Sequence, residues 1–319
     1  MLQIYDSLSR TKRPFVPVRE GKVGLYVCGM TVYDWCHLGH ARMLVSFDLV
    51  QRWLRVSGYQ VTYVRNITDI DDKIISRLPE QTYESLIQYT SYYTEKFLED
   101  IQKLGIQNYT KENIHKVTDN TDSMEQMVLD LIEKGFAYET PDGSVYFDST
   151  KITNNPFYVE NDIEGYESGR NIIRADGVRN PRDFVLWKVK TDRTVVWGKK
   201  LTKGIYSWAV ECACLSNVYF ELGKVHLKMG ACDLIFPHDF TTISQSEVLN
   251  PGQIYGDYCL HFGFLNFAGD KMSKSIGNVK KIDDIDYNLK SNNFNIKSIF
   301  LIVFLESGFG IFNSQVIGL

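Results

Sequence analysis

Apolar residues along the chain fall into runs whose spacing predicts alternating strands and helices. GLYVCG (24–29) is a short apolar run that stops at a glycine, as a buried strand does. Within HLGHARMLVSFDLVQRWLRVSG, the positions Leu38, Leu44, Phe47, Val50 and Leu54 recur at helical spacing, and Gly58 supplies a stop. YQVTYVRNI then reads as a second strand. Strand, helix and strand inside roughly forty residues form the crossover unit of parallel sheets. NITDIDDK (66–73) lies just past the second strand, where open α/β sheets bind their ligands.

Further along, residues 82–135 predict mostly helix, and KGFAYETPDGSVYFD predicts a hairpin that turns at PDG. Irregular, polar sequence over 149–182 reads as an insertion. DFVLWK (183–188) predicts a strand that re-enters the sheet. SWAVECACLSNVYFELG predicts a helix, and KVHLKMG and DYCLHFGFLNF two more strands.

Composition narrows the classes. The chain has 319 residues, 44% of them hydrophobic, enough for a large core and two domains. A net charge of −4 with scattered Lys and Arg argues against a generally basic nucleic-acid coat, while leaving room for a local groove. MLQIYDSLSRTKRP lacks the apolar segment of a secretion signal, and SIFLIVFL (298–305) is too short to cross a bilayer, so the expected location is cytoplasmic. The six cysteines are unevenly spread, which favours thiol chemistry or metal binding over disulfides.

Candidate chemistry concentrates in YVCGMTVYDWCHLGHAR (26–42), which holds Cys28, Cys36, His37 and His40. His37 and His40 stand three apart where a strand gives way to a helix, and Gly39 between them allows close approach to the backbone. Imidazole donors at a helix N-terminus suit phosphate. The same window is compatible with a metal site needing two further ligands, or with two ordinary surface histidines. GDKMSKSIGN (269–278) adds Lys271 and Lys274, which can neutralise charge on a transferring phosphoryl group from a closing loop.

HLGH and KMSKS, in this order, resemble the two signatures of class I aminoacyl-tRNA synthetases. YVCGMTVYD, RNITDIDDK, DFVLWK, ECACLS, DLIFPH and KMSKSIGN follow the order and spacing of cysteinyl-tRNA synthetases, over Met1 to Asn278. The resemblance implies an α/β fold: a Rossmann-like open parallel sheet flanked by helices, with an inserted connective module and no anticodon-binding helical domain. The glycine-rich dinucleotide fingerprint is missing, so NAD is not implied. The expected divisions are 1–120 (first half of the catalytic domain), 121–200 (connective module and return to the sheet), 201–280 (second half with the KMSKS loop) and 281–319 (a truncated or aberrant tail). The tail stops resembling the family near Asn295, where a shift of reading frame is expected.

The implied activity is cysteine–tRNA ligation: cysteine and ATP, with Mg2+, form cysteinyl-adenylate, and the cysteinyl group passes to tRNA(Cys). By resemblance, His37, Gly39, His40 and Lys274 bind ATP, and His37, His40, Lys271 and Lys274 stabilise the transition state. Cys28, Thr68, Trp208 and Asp233 lie by the substrate, with a core role equally open to Trp208. One zinc per chain would be held by Cys28, Cys212 and His238, weakened because Thr242 stands where a Glu ligand is expected. Asp239 and Cys214 are the nearby stand-ins, and Cys36 is a packing residue. Ala209, Lys228, Met229 and Ala231 replace the family's smaller or imidazole side chains, so crowding and added positive charge are expected at the pocket. The protein is expected to act as a monomer. Two other readings stay open: a ligase that passes cysteine to a small amine, and a decayed remnant that binds nucleotide or RNA.

Overall fold

The computed structural model describes residues 2–17, 19–107, 109–110, 113–152, 176–220, 225–252, 255–263, 266–267, 270–271 and 279–285. A hairpin of β1 (Gln3–Asp6) and β2 (Thr11–Pro14) precedes β3 (Lys22–Thr31). Then come α1 (Leu38–Val56), β4 (Gln60–Thr68), α2 (Asp72–Ile75), α3 (Tyr83–Leu104), β5 (Ile114–Lys116) and α4 (Thr121–Glu133). β6 (Ala137–Glu139), β7 (Val145–Phe147), β8 (Phe184–Val189) and β9 (Gly204–Tyr206) follow, then α5 (Trp208–Tyr219) and β10 (Leu227–Ala231). A short turn, 235–239, leads into α6 (Phe240–Leu249), β11 (Tyr258–Phe262) and the small pair β12 (Asn266–Phe267) and β13 (Asp270–Lys271).

The central sheet is parallel, in the order β11-β10-β3-β4-β5. After β3 the chain builds to one side through β4 and β5, then returns to build β10 and β11 on the other. The crevice between β3 and β10 is therefore the topological switch point, where sheets of this kind hold ligands.

Alternation along β3 sorts its side chains. Val23, Leu25 and Val27 join Phe47, Val50 and Leu54 of α1 in one apolar cluster, while Tyr26 and Cys28 face the cluster that contains Val210 and Cys212 of α5. Helix α5 is buried without a break from Ala209 to Ser216, as expected of a helix enclosed in a core. Cys28 and Cys212 are thus brought to one side of the sheet by pleat and helix placement alone.

DFVLWK does not re-enter the parallel sheet. β8 pairs with β7 and β9 in a separate antiparallel sheet ordered β6-β7-β8-β9. Its alternating pattern marks a strand but names no partner, and Trp187 is buried against Tyr206 of β9, ring centroids 4.7 Å apart. Asp72 ties this second sheet to the first, accepting from Lys190 Nζ (3.1 Å) and Arg193 Nη1 (2.5 Å). The stretch read as helix at 82–135 also contains β5, too short for a periodic signal. Among the described residues, no helix is long and apolar enough to cross a membrane. Asn295 and the residues after it lie outside the described residues.

Candidate active site

At the switch point, Cys28, Cys212 and His238 come together, their ligand atoms all within 4.8 Å of one another and all three side chains buried. Cys28 Sγ lies 3.5 Å from His238 Nε2. Cys28 sits where β3 and β4 approach closely: a Cβ on neighbouring Gly29 would stand 2.3 Å from the Asn66 carbonyl oxygen. Gly230 of β10 also faces the sulfur: an added Cβ there would reach Cys28 Sγ at 3.9 Å. Met229 points the other way, into the cluster with Val27 and Phe47, so the crowding expected from it does not occur.

Electrostatics distinguish the two thiols. A hydrogen bond from Cys212 pulls the Cys28 thiol well below its usual range; burial opposes this, and the Lys228 and His238 charges add to it. Cys212 is pushed well above its usual range by that same bond and by burial. Cys214, elsewhere on α5, is raised to about 12 by burial and is not part of the cluster.

Thr242 turns away from metal-ligand chemistry. Fully buried on α6, its hydroxyl donates to the His238 carbonyl at 2.9 Å. Asp239 is likewise occupied elsewhere. It pairs with the Lys228 ammonium and with His261 Nε2 at 2.6 Å. Lys228 Nζ also donates to Cys28 Sγ at 3.3 Å. The donor set that remains, two sulfurs and one imidazole, fits zinc in kind and in number: three protein ligands is what catalytic zinc sites take, and two thiolates balance the ion's charge.

His37 and His40 form a compact cap on α1. Gly39 N–H donates to His37 Nδ1 at 3.1 Å, and His37 N–H donates to His40 Nδ1 at 3.3 Å, a reciprocal capping box built from imidazoles. The rings stack with centroids 3.7 Å apart. With both Nδ1 atoms accepting, the neutral rings carry their protons on Nε2, as donors. A Cβ on Gly39 would meet the His37 ring at 3.0 Å, so the glycine makes room for this cap.

Thr68 lies at the end of β4 and donates to Glu211 Oε2 at 2.8 Å, while Asn66 Nδ2 donates to Thr68 at 3.0 Å. Burial pushes the Glu211 carboxyl well above its ordinary value. Trp208, half-buried at the start of α5, donates from Nε1 to Asp71 Oδ2 at 2.8 Å, which gives it a polar anchor and not only a core place. Asp233 is exposed in the turn after β10. Cys36 packs in an apolar cluster with Met30 and Leu44. The backbone of Lys271 lies in β13, and Lys274 is outside the described residues. Residue-by-residue reading missed the Lys228–Asp239–His261 line and Glu211. Lys228 stood out as a substitution, but its partners are set by the neighbouring positions of β10, β11 and the 235–239 turn.

A family model described as tRNA synthetases class I (C) catalytic domain matches residues 14–304, which runs past Asn295. The cysteine–tRNA ligases of Sulfurovum sp. (strain NBC37-1) and Legionella pneumophila (strain Corby) are 39% and 41% identical to this chain over 87% and 89% of its length. The chain spans 59% and 61% of the length of those relatives. Among solved structures, Mycobacterium tuberculosis methionyl-tRNA synthetase in complex with methionyl-adenylate superposes with a TM-score of 0.59 at 15% identity, covering 84% of this chain and 62% of that one. At that identity the likeness is one of fold.

Proposed function

The chain belongs to the class I tRNA synthetase (C) catalytic-domain family, and from that premise we propose that it activates cysteine with ATP and transfers it to tRNA(Cys). The observation that carries this reading is the meeting of Cys28, Cys212 and His238 at the switch point of the parallel sheet, in a chain that also carries the HLGH turn. Cysteine and serine differ by one atom, and an apolar pocket separates such near-isosteres poorly.

Cys28, Cys212 and His238 would hold the zinc. Bound there with a place open, zinc supplies a centre that prefers a substrate thiolate to a hydroxyl. The chain's own residues do the rest. The α1 N-terminus and the Nε2 donors of His37 and His40 receive the ATP phosphates. Lys271 and Lys274 neutralise charge as the cysteine carboxylate attacks the α-phosphate and pyrophosphate departs with Mg2+. No side-chain nucleophile is required, because positioning and electrostatics carry such a step. The terminal ribose hydroxyl of tRNA(Cys) then takes the cysteinyl group. The proposed setting is a cytoplasmic monomer.

Cysteine-dependent ATP–pyrophosphate exchange, with serine as control and tRNA charging measured alongside, tests the reading. Exchange with cysteine alone, together with charging of tRNA(Cys), is expected. Exchange without charging would redirect the proposal to a small-amine acceptor. A folded chain that binds ATP but shows no exchange would contradict it and leave a decayed remnant.

A further inference from the structure

Lys228, Asp239 and His261 form a buried charged line that the reaction above does not use. Lys228 is fully enclosed, as is Asp239. An enclosed ammonium is costly unless it is paired and its protons are satisfied. Here Asp239 accepts one bond, Cys28 Sγ accepts another at 3.3 Å, and the second Asp239 oxygen is held by His261 Nε2 at 2.6 Å.

The line also joins the elements that carry the sulfur cluster. Lys228 lies on β10, beside Tyr26 of β3 in register, and it touches Cys28 two residues further along β3. Asp239 directly follows His238, so its ion pair with Lys228 fastens the turn that presents the imidazole. Strand β3, strand β10 and the 235–239 turn are therefore linked through one side-chain ammonium.

Resting on the zinc reading above, we propose that Lys228 is a built-in counter-ion of the Cys28–Cys212–His238 cluster, holding its elements together when no metal is bound and lowering its affinity for zinc. With zinc bound, two thiolates balance the ion, and the Lys228–Asp239 pair is neutral by itself. The ammonium nevertheless sits against a ligand sulfur, where it repels a divalent cation and shares the sulfur's electron density. Without zinc, the same contact keeps Cys28 in a charge-assisted hydrogen bond instead of leaving a cavity lined by bare sulfur.

The test uses the full chain and two variants, Lys228→Met and the double variant Lys228→Met/Asp239→Asn. Methionine keeps the length of the side chain and removes its charge, and the double variant avoids stranding the buried carboxylate. Zinc affinity is read by competition with a chromophoric chelator. Melting temperature is read with zinc and with chelator. Lys228→Met is expected to bind zinc about tenfold or more tightly, in the range of changes around metal ligands. Its melting temperature should fall further on chelation than that of the unaltered chain. If Lys228→Met folds only with zinc, that extreme dependence supports the proposal, and the double variant is expected to show the tighter binding in a chain that folds without it. Equal or weaker zinc binding by both variants, with no larger effect of chelation, overturns the proposal while the zinc reading stands. Zinc binding by none of the three chains overturns the zinc reading and the proposal with it. A Cys212→Ser control that loses zinc locates the ion in this cluster.

Discussion

Gly29→Ala is the sharpest single perturbation of the site's frame. The new methyl carbon would stand 2.3 Å from the Asn66 carbonyl oxygen and 2.4 Å from its side-chain Cγ and Nδ2. Because the nearest atom is backbone, no rotamer relieves the clash, and β3 and β4 must part. Overpacking of this kind costs about 1–3 kcal/mol. Asn66 also accepts from the Tyr26 hydroxyl (3.1 Å) and donates to Thr68 (3.0 Å). Losing both adds about 1 kcal/mol each, for about 3–5 kcal/mol in all. That is a large share of the roughly 5–15 kcal/mol that holds a domain folded. Gly230→Ala is the matched control: its nearest contact, at 3.1 Å, is Leu234 Cδ1, the end of a side chain that can turn, so a loss below about 1 kcal/mol is expected. Denaturant unfolding followed by tryptophan fluorescence reads both. Cysteine-dependent exchange should fall about a hundredfold in Gly29→Ala, because Cys28 is the adjacent residue. The reasoning is refuted if Gly29→Ala unfolds within about 1 kcal/mol of the unaltered chain, or if Gly230→Ala proves the costlier change.

Three other outcomes are expected. Burial raises the Asp100 carboxyl to about 6; with the folded value above the unfolded one of about 3.9, its contribution is present in acid and lost as pH rises through that window. Asp100→Asn should therefore be more stable than the unaltered chain by up to about 3 kcal/mol at pH 8 and equal to it near pH 4, and a flat difference across pH would contradict this. Glu125 Oε1 accepts from the backbone N–H groups of Lys199, Lys200 and Leu201 at 2.8, 2.8 and 2.9 Å, so Glu125→Ala should cost about 2–4 kcal/mol and expose the 199–203 turn to proteolysis. Burial works to raise that carboxyl and the three N–H groups hold it below its ordinary value, so the advantage of Glu125 is full at neutral pH and fades in acid, which a pH series of melts would check. Trp208→Phe removes the donor to Asp71 while keeping a ring, and should raise the KM for cysteine more than it lowers kcat; an unchanged KM would return Trp208 to a packing role.

Much of the central sheet was legible because its strands and its first helix carry strong periods. Val23, Leu25 and Val27 against Phe47, Val50 and Leu54 are a pattern of twos meeting a pattern of threes and fours. What periodicity does not carry is partnership. DFVLWK has the pattern of a strand wherever it pairs, and three residues of β5 have no period at all. The ligand trio Cys28, Cys212 and His238 was reached through family resemblance, since no local spacing links residues on a strand, a helix and a turn so far apart in sequence. Lys228 looked like a departure from that family, and the Asp beside His238 like a stand-in ligand. Only the order β11-β10-β3 makes them one ion pair beside a sulfur, with His261 of β11 behind it.

The central claim, that this cluster reads the sulfur of cysteine, is tested most directly by loading the full chain with cobalt in place of zinc and recording its absorption. Two thiolates and one imidazole should give a tetrahedral cobalt spectrum with sulfur-to-metal charge transfer. Added cysteine should strengthen the charge-transfer band as a further sulfur binds, and serine should leave it unchanged. Cobalt bound with a spectrum that cysteine does not alter would contradict the claim.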